Sequence, residues 1–218
     1  MHIPDGFISP KVYVPSYGIA GLLWLYSVKK IKQFLNEDML PFLSATTAFA
    51  FVLMMIVVPL PGGTTAHALG IGVLAVLFDP YTSFLCISLV LLIQALFFGN
   101  GGITTLPVNA IAIGFLGTFT IYYIVKIFKR YEKVAMFVGS FIAVMLSAFV
   151  LALILGIQPL IASDATGKPL FFPFGLKITI PAMMIPHIFV GIAEGILTII
   201  AVSTIRKFDK GKLLERKN

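Results

Sequence analysis

Residues 134–156 read VAMFVGSFIAVMLSAFVLALILG and contain no charged side chain. A helix that crosses the hydrocarbon core of a bilayer needs about 20 mostly apolar residues, so this stretch predicts a transmembrane helix. The whole chain has the same character, because 59% of its 218 residues are hydrophobic and only 11% are charged. Soluble domains carry roughly 25% charged residues. The composition therefore predicts an integral membrane protein of the all-α class and argues against a soluble enzyme.

Seven apolar segments follow one another along the chain. They lie at about 17–35, 41–58, 66–78, 81–98, 108–128, 134–156 and 183–205. The third is short, and Asp79-Pro80 separates it from the fourth, so it is either a tilted short span or a broken helix. We expect one domain over residues 1–218, with about seven transmembrane helices and a long extracytoplasmic loop over 158–182.

Lysine and arginine residues are distributed unevenly between the two sides that seven spans create. Thirteen of the 16 fall on the side that carries the runs KKIK (29–32) and KIFKRYEK (126–133) and the C-terminal tail. The other side has only Lys11, Lys168 and Lys177. Because cytoplasmic loops carry the excess of positive charge, the pattern predicts an extracytoplasmic N-terminus and a cytoplasmic C-terminus. It also accounts for the net charge of +7 without a nucleic-acid partner.

The chain opens with MHIPDGF, in which a terminal amine, a backbone amide and an imidazole follow one another. The Met1 amine, the His2 amide and His2 Nδ1 can close two fused chelate rings around one ion. Cu(II) and Ni(II) promote deprotonation of the amide, and a plane of nitrogen donors is the geometry typical of these ions. No positively charged leader precedes the first apolar stretch, so we expect the N-terminus to be retained. The large side chain of His2 disfavours removal of Met1, so the terminal amine should belong to Met1. Pro4 and Gly6 favour a turn that folds the terminus back into the protein.

Histidine is rare, with three residues in the chain. By the predicted topology, His67 lies on the same extracytoplasmic side as the N-terminal segment 1–16, where a neutral imidazole supplies a fourth nitrogen donor. Two ordinary interpretations stay open, in which His2 is an unbound tail residue and His67 an interfacial side chain bonded to backbone. His187, near the outer end of the last segment, is a rival ligand. The hypothesis is a metal site at Met1, His2 and His67, with residues 1–16 as the chelating segment.

Four residues are candidates for an outer shell around such a site, since metal-bound imidazoles usually have a hydrogen-bond partner. Asp5 is close enough in sequence to hydrogen-bond His2, and a turn-forming aspartate is the alternative. Asn100 and Asn109 lie in or beside the loop after the fourth segment, where helix caps or helix–helix hydrogen bonds are the alternative. His187 completes the group.

Glu194 is an acid within the last apolar segment, and a charge at that depth is a functional hypothesis by default. It lies in GIAEG, where Gly191 and Gly195 form a GxxxG pair. Such pairs allow close helix packing, so we expect a structural or coupling role for Glu194 rather than metal contact.

Four stretches together resemble the CbiM/NikM family, the substrate-binding membrane subunits of energy-coupling-factor (ECF-type) cobalt and nickel importers. They are MHIPDGF (1–7), TTAHALGIGVLAVLFDP (64–80), LVLLIQALFFGNGGITTLPVNAIAIGFLGTF (89–119) and GIAEGILTII (191–200). The stretches occur in family order and spacing, and the resemblance is weakest over 158–182 and the C-terminal tail. The sequence departs from the family in two places. Ala66-His67-Ala68-Leu69-Gly70 stands where the family typically has Ser-His-Pro-Thr-Gly, and Asn100 stands where histidine is common.

The resemblance implies a seven-helix substrate-specificity subunit in the prokaryotic plasma membrane. It implies that Met1, His2 and His67 hold Ni²⁺ or Co²⁺ as the transported substrate, and it leaves both ions open because family members also serve cobalamin synthesis. The implied partners are a transmembrane coupling subunit, cytoplasmic ATPase subunits and a small accessory membrane subunit. The chain itself has no G-x-x-x-x-G-K-[ST] phosphate loop, so ATP hydrolysis falls to a partner.

Two other classes of protein are alternatives to a transport subunit. A membrane-embedded metalloenzyme needs an open coordination position and a nearby acid or base, and the sequence has no H-E-x-x-H motif. A stand-alone carrier often shows internal repeats and paired broken helices, whereas here one short segment has no clear counterpart. The sequence therefore favours a non-enzymatic transport subunit.

Overall fold

The structure is a computed structural model that describes residues 2–34, 37, 39–56, 58–60 and 64–209. Within these ranges the chain is helical apart from one small hairpin and the connecting loops, which confirms the predicted helical class. The elements, in chain order, are α1 (Pro10–Phe34), α2 (Met39–Met55), β1 (Val58–Leu60), β2 (Thr64–Ala66), α3 (Ile71–Leu77), α4 (Pro80–Phe98), α5 (Leu106–Asn109), a π-helix (Ala110–Gly117), α6 (Thr118–Ile127), a 3₁₀ turn (Lys129–Tyr131), α7 (Glu132–Gly156), α8 (Gln158–Ile161) and α9 (Leu176–Asp209).

Each of the seven predicted apolar segments overlaps a helix. Four helical segments in the described part of the chain are long and apolar enough to cross a membrane: Pro80–Phe98, Leu106–Ile127, Lys129–Ile161 and Leu176–Phe208. Helix α2 is apolar but shorter. The protein is thus a multi-pass membrane protein, and the count of seven spans stays a prediction.

The third predicted segment, 66–78, is a broken element rather than a tilted span. Its helix α3 has seven residues and is therefore about 10 Å long at 1.5 Å per residue, against a hydrocarbon core of about 30 Å. Ala66 belongs instead to β2, which pairs with β1 in an antiparallel hairpin that the sequence analysis did not predict. A non-helical loop, 67–70, joins this hairpin to α3. Asp79 is the N-cap of α4, and its Oδ1 accepts hydrogen bonds from the Tyr81 and Thr82 amides at 3.0 and 3.1 Å.

Helix α9 packs closely along α7, as the GIAEG stretch predicts. A Cβ atom at Gly191 would lie 2.9 Å from the Phe141 ring, and one at Gly195 would lie 2.6 Å from the Phe137 ring. Any larger residue at either position would force the two helices apart, because both neighbours are large side chains on the facing helix. The small-residue pair therefore brings the two backbones together, as it does in other membrane helices.

Two boundaries differ from those expected. Helix α9 begins at Leu176 and contains Pro181 and Pro186, although each proline removes one amide donor from the helix. With α8 at Gln158–Ile161, the non-helical part of the expected 158–182 loop is 162–175. Helix α1 begins at Pro10, so only residues before it form an N-terminal arm, which is shorter than the expected segment 1–16.

Candidate metal centre

The N-terminal arm, residues 2–9, folds back into the helical body. Ile3 and Ile8 are each 1% exposed and belong to the hydrophobic core. Between them the chain turns at Gly6, whose φ of +82° is a left-handed conformation that favours glycine. The turn predicted from Pro4 and Gly6 is therefore present, and the burial of the two isoleucines fixes the arm against the body.

The Asn109 side chain makes two hydrogen bonds with the backbone of the arm at Ile3. The Ile3 amide donates to Asn109 Oδ1 at 3.0 Å, and Asn109 Nδ2 donates to the Ile3 carbonyl at 3.0 Å. The Thr105 hydroxyl donates to the same carbonyl. Asn109 is 2% exposed and is the last residue before the π-helix, a type of helix that often occurs at functional sites. These contacts hold the residue directly after His2.

Asp5 is bound by the loop that follows α4 rather than by His2. Its carboxylate accepts hydrogen bonds from the Ile103 amide at 3.1 Å, from the Thr104 amide at 2.8 Å and from the Thr104 hydroxyl. Burial raises the pKa of the Asp5 carboxyl, but these hydrogen bonds outweigh it and hold the pKa below its ordinary value. Asp5 therefore hydrogen-bonds to residues 103 and 104 instead of to His2, and we call these hydrogen bonds the Asp5 anchor. Gly102 makes that approach possible, because a Cβ there would lie 2.3 Å from Asp5 Oδ1.

The other end of the arm is held by the segment that follows α7. The Ser9 amide donates to Gln158 Oε1 at 2.9 Å, and the Phe172 amide donates to the Phe7 carbonyl at 3.2 Å. The Phe7 and Phe172 rings also pack with their centres 5.9 Å apart. The arm is thus clamped from both sides, by the loop after α4 and by the segment 158–172.

With the arm held at both ends, the His2 ring packs against the His67 ring. Their ring centres are 4.9 Å apart and the ring planes are inclined by 42°. His2 Nδ1 donates to Asn100 Oδ1 at 3.1 Å, and His2 Nε2 is buried without a hydrogen-bond partner among the described residues. Two histidines that are 65 positions apart in the sequence therefore share one buried site.

His67 lies in the loop 67–70 and is 6% exposed. Its Nδ1 is 3.3 Å from the Ala68 carbonyl oxygen. Since a carbonyl can only accept, this contact places the ring proton on Nδ1 and leaves the Nε2 lone pair available as a donor to a metal.

Both imidazoles are neutral in this environment. Burial lowers the pKa of His2 well below its ordinary value. Burial also lowers the pKa of His67 to about 3, and the neighbouring His187 adds a smaller effect in the same direction. Neutral imidazole is the protonation state that binds metals, so neither ring has to lose a charge before it can coordinate an ion.

The remaining candidate residues lie as follows. His187 is 5% exposed and its Nδ1 is 2.6 Å from the Met183 carbonyl oxygen, one turn earlier in α9. Met1 lies outside the described residues. Within the described residues, no three His, Cys, Asp or Glu side chains gather as a metal-binding group.

Replacing Asn109 by alanine is expected to loosen the arm. The variant leaves the buried Ile3 amide without its acceptor, which costs about 1–3 kcal/mol, and each 1.4 kcal/mol corresponds to about tenfold in the fraction of open arm. Hydrogen exchange over residues 2–9 should therefore be about 5- to 100-fold faster in Asn109→Ala. Thr118→Ala is the matched control, because it removes a buried hydroxyl bonded to the Gly114 carbonyl in the same helical segment and touches no arm residue. Equal exchange in both variants would show that Asn109 does not hold the arm.

The fold and the site define a class: a helical multi-pass membrane protein with two neutral imidazoles buried together under a folded N-terminal arm. Comparison with known proteins gives the family. A family model described as "Cobalt uptake substrate-specific transmembrane region" matches residues 2–211, and the chain therefore belongs to the CbiM family.

Several relatives have names that refer to metal transport. The fused nickel transport protein NikMN of Rhodobacter capsulatus is 36% identical over 225 residues, which cover all of this chain and 65% of that protein. The cobalt transport protein CbiM of Thermosipho melanesiensis is 30% identical, over 99% of this chain and 90% of the relative. A crystal structure of a transition metal transporter matches with a TM-score of 0.90 at 36% identity, over 96% of this chain and 94% of that one. The chain spans about two thirds of the length of the fused nickel relatives.

Proposed function

We propose that this protein captures Ni²⁺ or Co²⁺ on the extracytoplasmic side of the membrane, as the substrate-specificity subunit of an ECF, ABC-type importer. The observation that carries the proposal is the packing of the His2 ring against the His67 ring, with ring centres 4.9 Å apart. The metal ion is the substrate, and the protein holds it without changing it chemically. Family membership and the names of the relatives support the same function.

The separation of the two rings fits neighbouring corners of a square plane. With metal–nitrogen bonds of about 2 Å, ring centres are roughly 4.5 Å apart at adjacent corners and roughly 6 Å apart at opposite corners. In the proposed chelate, the Met1 amine, the His2 amide and His2 Nδ1 occupy three corners, and His67 Nε2 occupies the fourth, next to His2 Nδ1. In the proposed chelate the ion would replace the Asn100 contact of His2 Nδ1, the ring proton would move from Nδ1 to Nε2, and the His2 amide proton would be released to solvent.

The distribution of charge supports the proposed orientation. Arg206 near the end of α9 pairs with Glu132 at the start of α7, at 2.8 Å. The arm contacts Gln158, which lies just after the other end of α7. Arg206 and Lys207, the basic residues in the last turn of α9, and the arm are therefore at opposite ends of the bundle. With basic residues on the cytoplasmic side, the arm and its metal site face outward and the C-terminus faces the cytoplasm.

Energy for uptake comes from partner chains in this proposal. The sequence contains no phosphate-binding loop, and the fused nickel relatives are longer than this chain. We propose a transmembrane coupling subunit, cytoplasmic ATPase subunits and a small accessory membrane subunit as the partners.

Calorimetric titration with Ni²⁺ and Co²⁺ tests the proposed function. Protein with an unblocked Met1 should bind one ion per chain, and a variant with one extra residue before Met1 should lose that binding, because the extension removes the terminal amine from the chelate. The same extension at the C-terminus is the control and should leave binding unchanged. Unchanged binding in the N-terminally extended protein would contradict the chelate. The order of the two affinities identifies the preferred ion.

A further inference from the structure

Glu194 is a completely buried acid near the middle of α9, with 0% of its surface exposed. The ion pair found among the described residues joins Arg206 to Glu132 and does not involve it. An unpaired carboxylate in an apolar interior costs several kcal/mol unless hydrogen bonds compensate. Its partners therefore indicate what the residue does.

The partners of Glu194 are backbone amides of a single short stretch. Glu194 Oε2 accepts hydrogen bonds from the Leu69 amide at 2.8 Å and the Gly70 amide at 3.2 Å, and Oε1 accepts from the Gly72 amide at 3.3 Å. Leu69 follows His67 by two residues, and Ala68 between them accepts the His67 Nδ1 contact. One side chain thus holds the loop that carries the His67 imidazole.

The same loop is confined on its other side by α2. Gly70 has a φ of +66°, and a Cβ there would lie 2.9 Å from the Ala50 Cα. The loop therefore fits between the Glu194 carboxylate and the α2 backbone, with little room to shift. His67 has no regular secondary structure of its own to orient it, so these two contacts fix its position.

We infer that Glu194 is the positioning residue of the metal site, because its carboxyl group accepts hydrogen bonds from amides within 69–72 and so orients the loop that carries the His67 imidazole. This inference rests on the proposed function. It assigns Glu194 no contact with the ion.

Replacing Glu194 by glutamine tests the inference. Glutamine keeps the size of the side chain but removes the charge and turns one acceptor into a donor that faces an amide. Loss of an outer-shell partner lowers metal affinity by about 10- to 100-fold, so Ni²⁺ binding to Glu194→Gln should weaken by that factor, measured by calorimetry with an unblocked Met1. Glu194→Asp keeps the carboxyl group but shortens the side chain by one methylene, which moves the carboxyl group away from the 69–72 amides. This variant should also weaken Ni²⁺ binding. The aspartate variant decides the question if the glutamine variant does not fold.

Ser147→Ala is the matched control. Its hydroxyl is buried and donates to the Ala112 carbonyl at 2.7 Å, so the variant removes one buried interhelical hydrogen bond that does not involve residues 67–72. Its Ni²⁺ affinity should stay within about threefold of wild type. Hydrogen exchange at residues 69–72 adds a second measurement in metal-free protein, and it should be faster in Glu194→Gln and unchanged in Ser147→Ala.

The outcomes separate this inference from the proposed function. Wild-type affinity in folded Glu194→Gln and Glu194→Asp would overturn the role of Glu194 and leave the proposed function in place. A loss equal to that of Ser147→Ala would also overturn it, because the effect would then be general destabilisation. The proposed function itself would be overturned if the wild-type protein with an unblocked Met1 did not bind Ni²⁺, or if it bound Ni²⁺ no more tightly than the N-terminally extended variant.

Discussion

Replacing His67 by alanine is expected to weaken Ni²⁺ binding by more than about 100-fold while the fold is kept. In the proposed site His67 supplies one of four nitrogen donors, and even an outer-shell partner is worth 10- to 100-fold in metal affinity. The His67 ring makes its hydrogen bond to the adjacent Ala68 carbonyl, so its loss breaks no contact between helices. Calorimetry measures the affinity, and thermal unfolding without metal measures the stability.

His187→Ala is the control for His67→Ala. His187 is the third histidine of the chain, and its Nδ1 contacts the Met183 carbonyl within α9. Its replacement should change Ni²⁺ affinity far less than replacement of His67 does. If the two variants lose binding equally, His187 is a ligand and the four-nitrogen plane is wrong. If only His187→Ala loses binding, the site is elsewhere.

Replacing Gly102 by alanine is expected to displace the N-terminal arm and to abolish almost all Ni²⁺ binding. A Cβ at this position would lie 2.3 Å from Asp5 Oδ1 and 2.4 Å from the Asp5 backbone nitrogen, and the backbone contact cannot be relieved by a rotamer change. The Asp5 anchor to Ile103 and Thr104 would be lost, so His2 would no longer be held beside His67. We expect a loss of Ni²⁺ affinity of at least about 100-fold, together with faster hydrogen exchange over residues 2–9.

Gly175→Ala is the matched control for Gly102→Ala. Gly175 has no neighbouring atom within 4 Å of the position of a Cβ, and alanine there makes the same chemical change without a clash. It should bind Ni²⁺ as wild type does. Wild-type affinity in Gly102→Ala would mean that the arm docks without the Asp5 anchor, or that the ion does not need the arm.

Much of the fold could be predicted because the signal is local. The stretch 134–156 is apolar throughout, and helix α7 covers it as Glu132–Gly156. GIAEG predicts a close helix contact, and Gly191 and Gly195 make it against α7. In each case a short window of sequence contains the whole physical reason for the structure.

The start of the third helix could not be predicted, because it depends on a distant residue. Residues 66–78 are apolar enough to suggest one helix, yet helix α3 begins at Ile71. The amides of Leu69 and Gly70 bond to Glu194, more than 120 positions away in the chain. No local pattern in the 66–78 stretch reports that interaction.

The proximity of His2 and His67 could be predicted from the sequence, whereas several contacts that hold the arm could not; the set of metal donors stays a prediction. The amine, amide and imidazole at the start of the chain are visible as a chelating sequence, and His67 joins His2 as expected. Asn100 and Asn109 were expected nearby, and they contact His2 and Ile3. The role of Gln158 gave no sequence signal, because its carboxamide acts on a backbone amide 149 positions away.

The most direct test of the central claim is a crystal structure of the Ni²⁺-loaded protein with an unblocked Met1, using anomalous diffraction at the nickel absorption edge. The account predicts one anomalous peak per chain between His2 and His67, about 2 Å from His2 Nδ1 and from His67 Nε2. The Met1 amine and the His2 amide should complete the plane. A peak at His187 without His2, or an ion bound by oxygen ligands away from the N-terminal arm, would contradict the account.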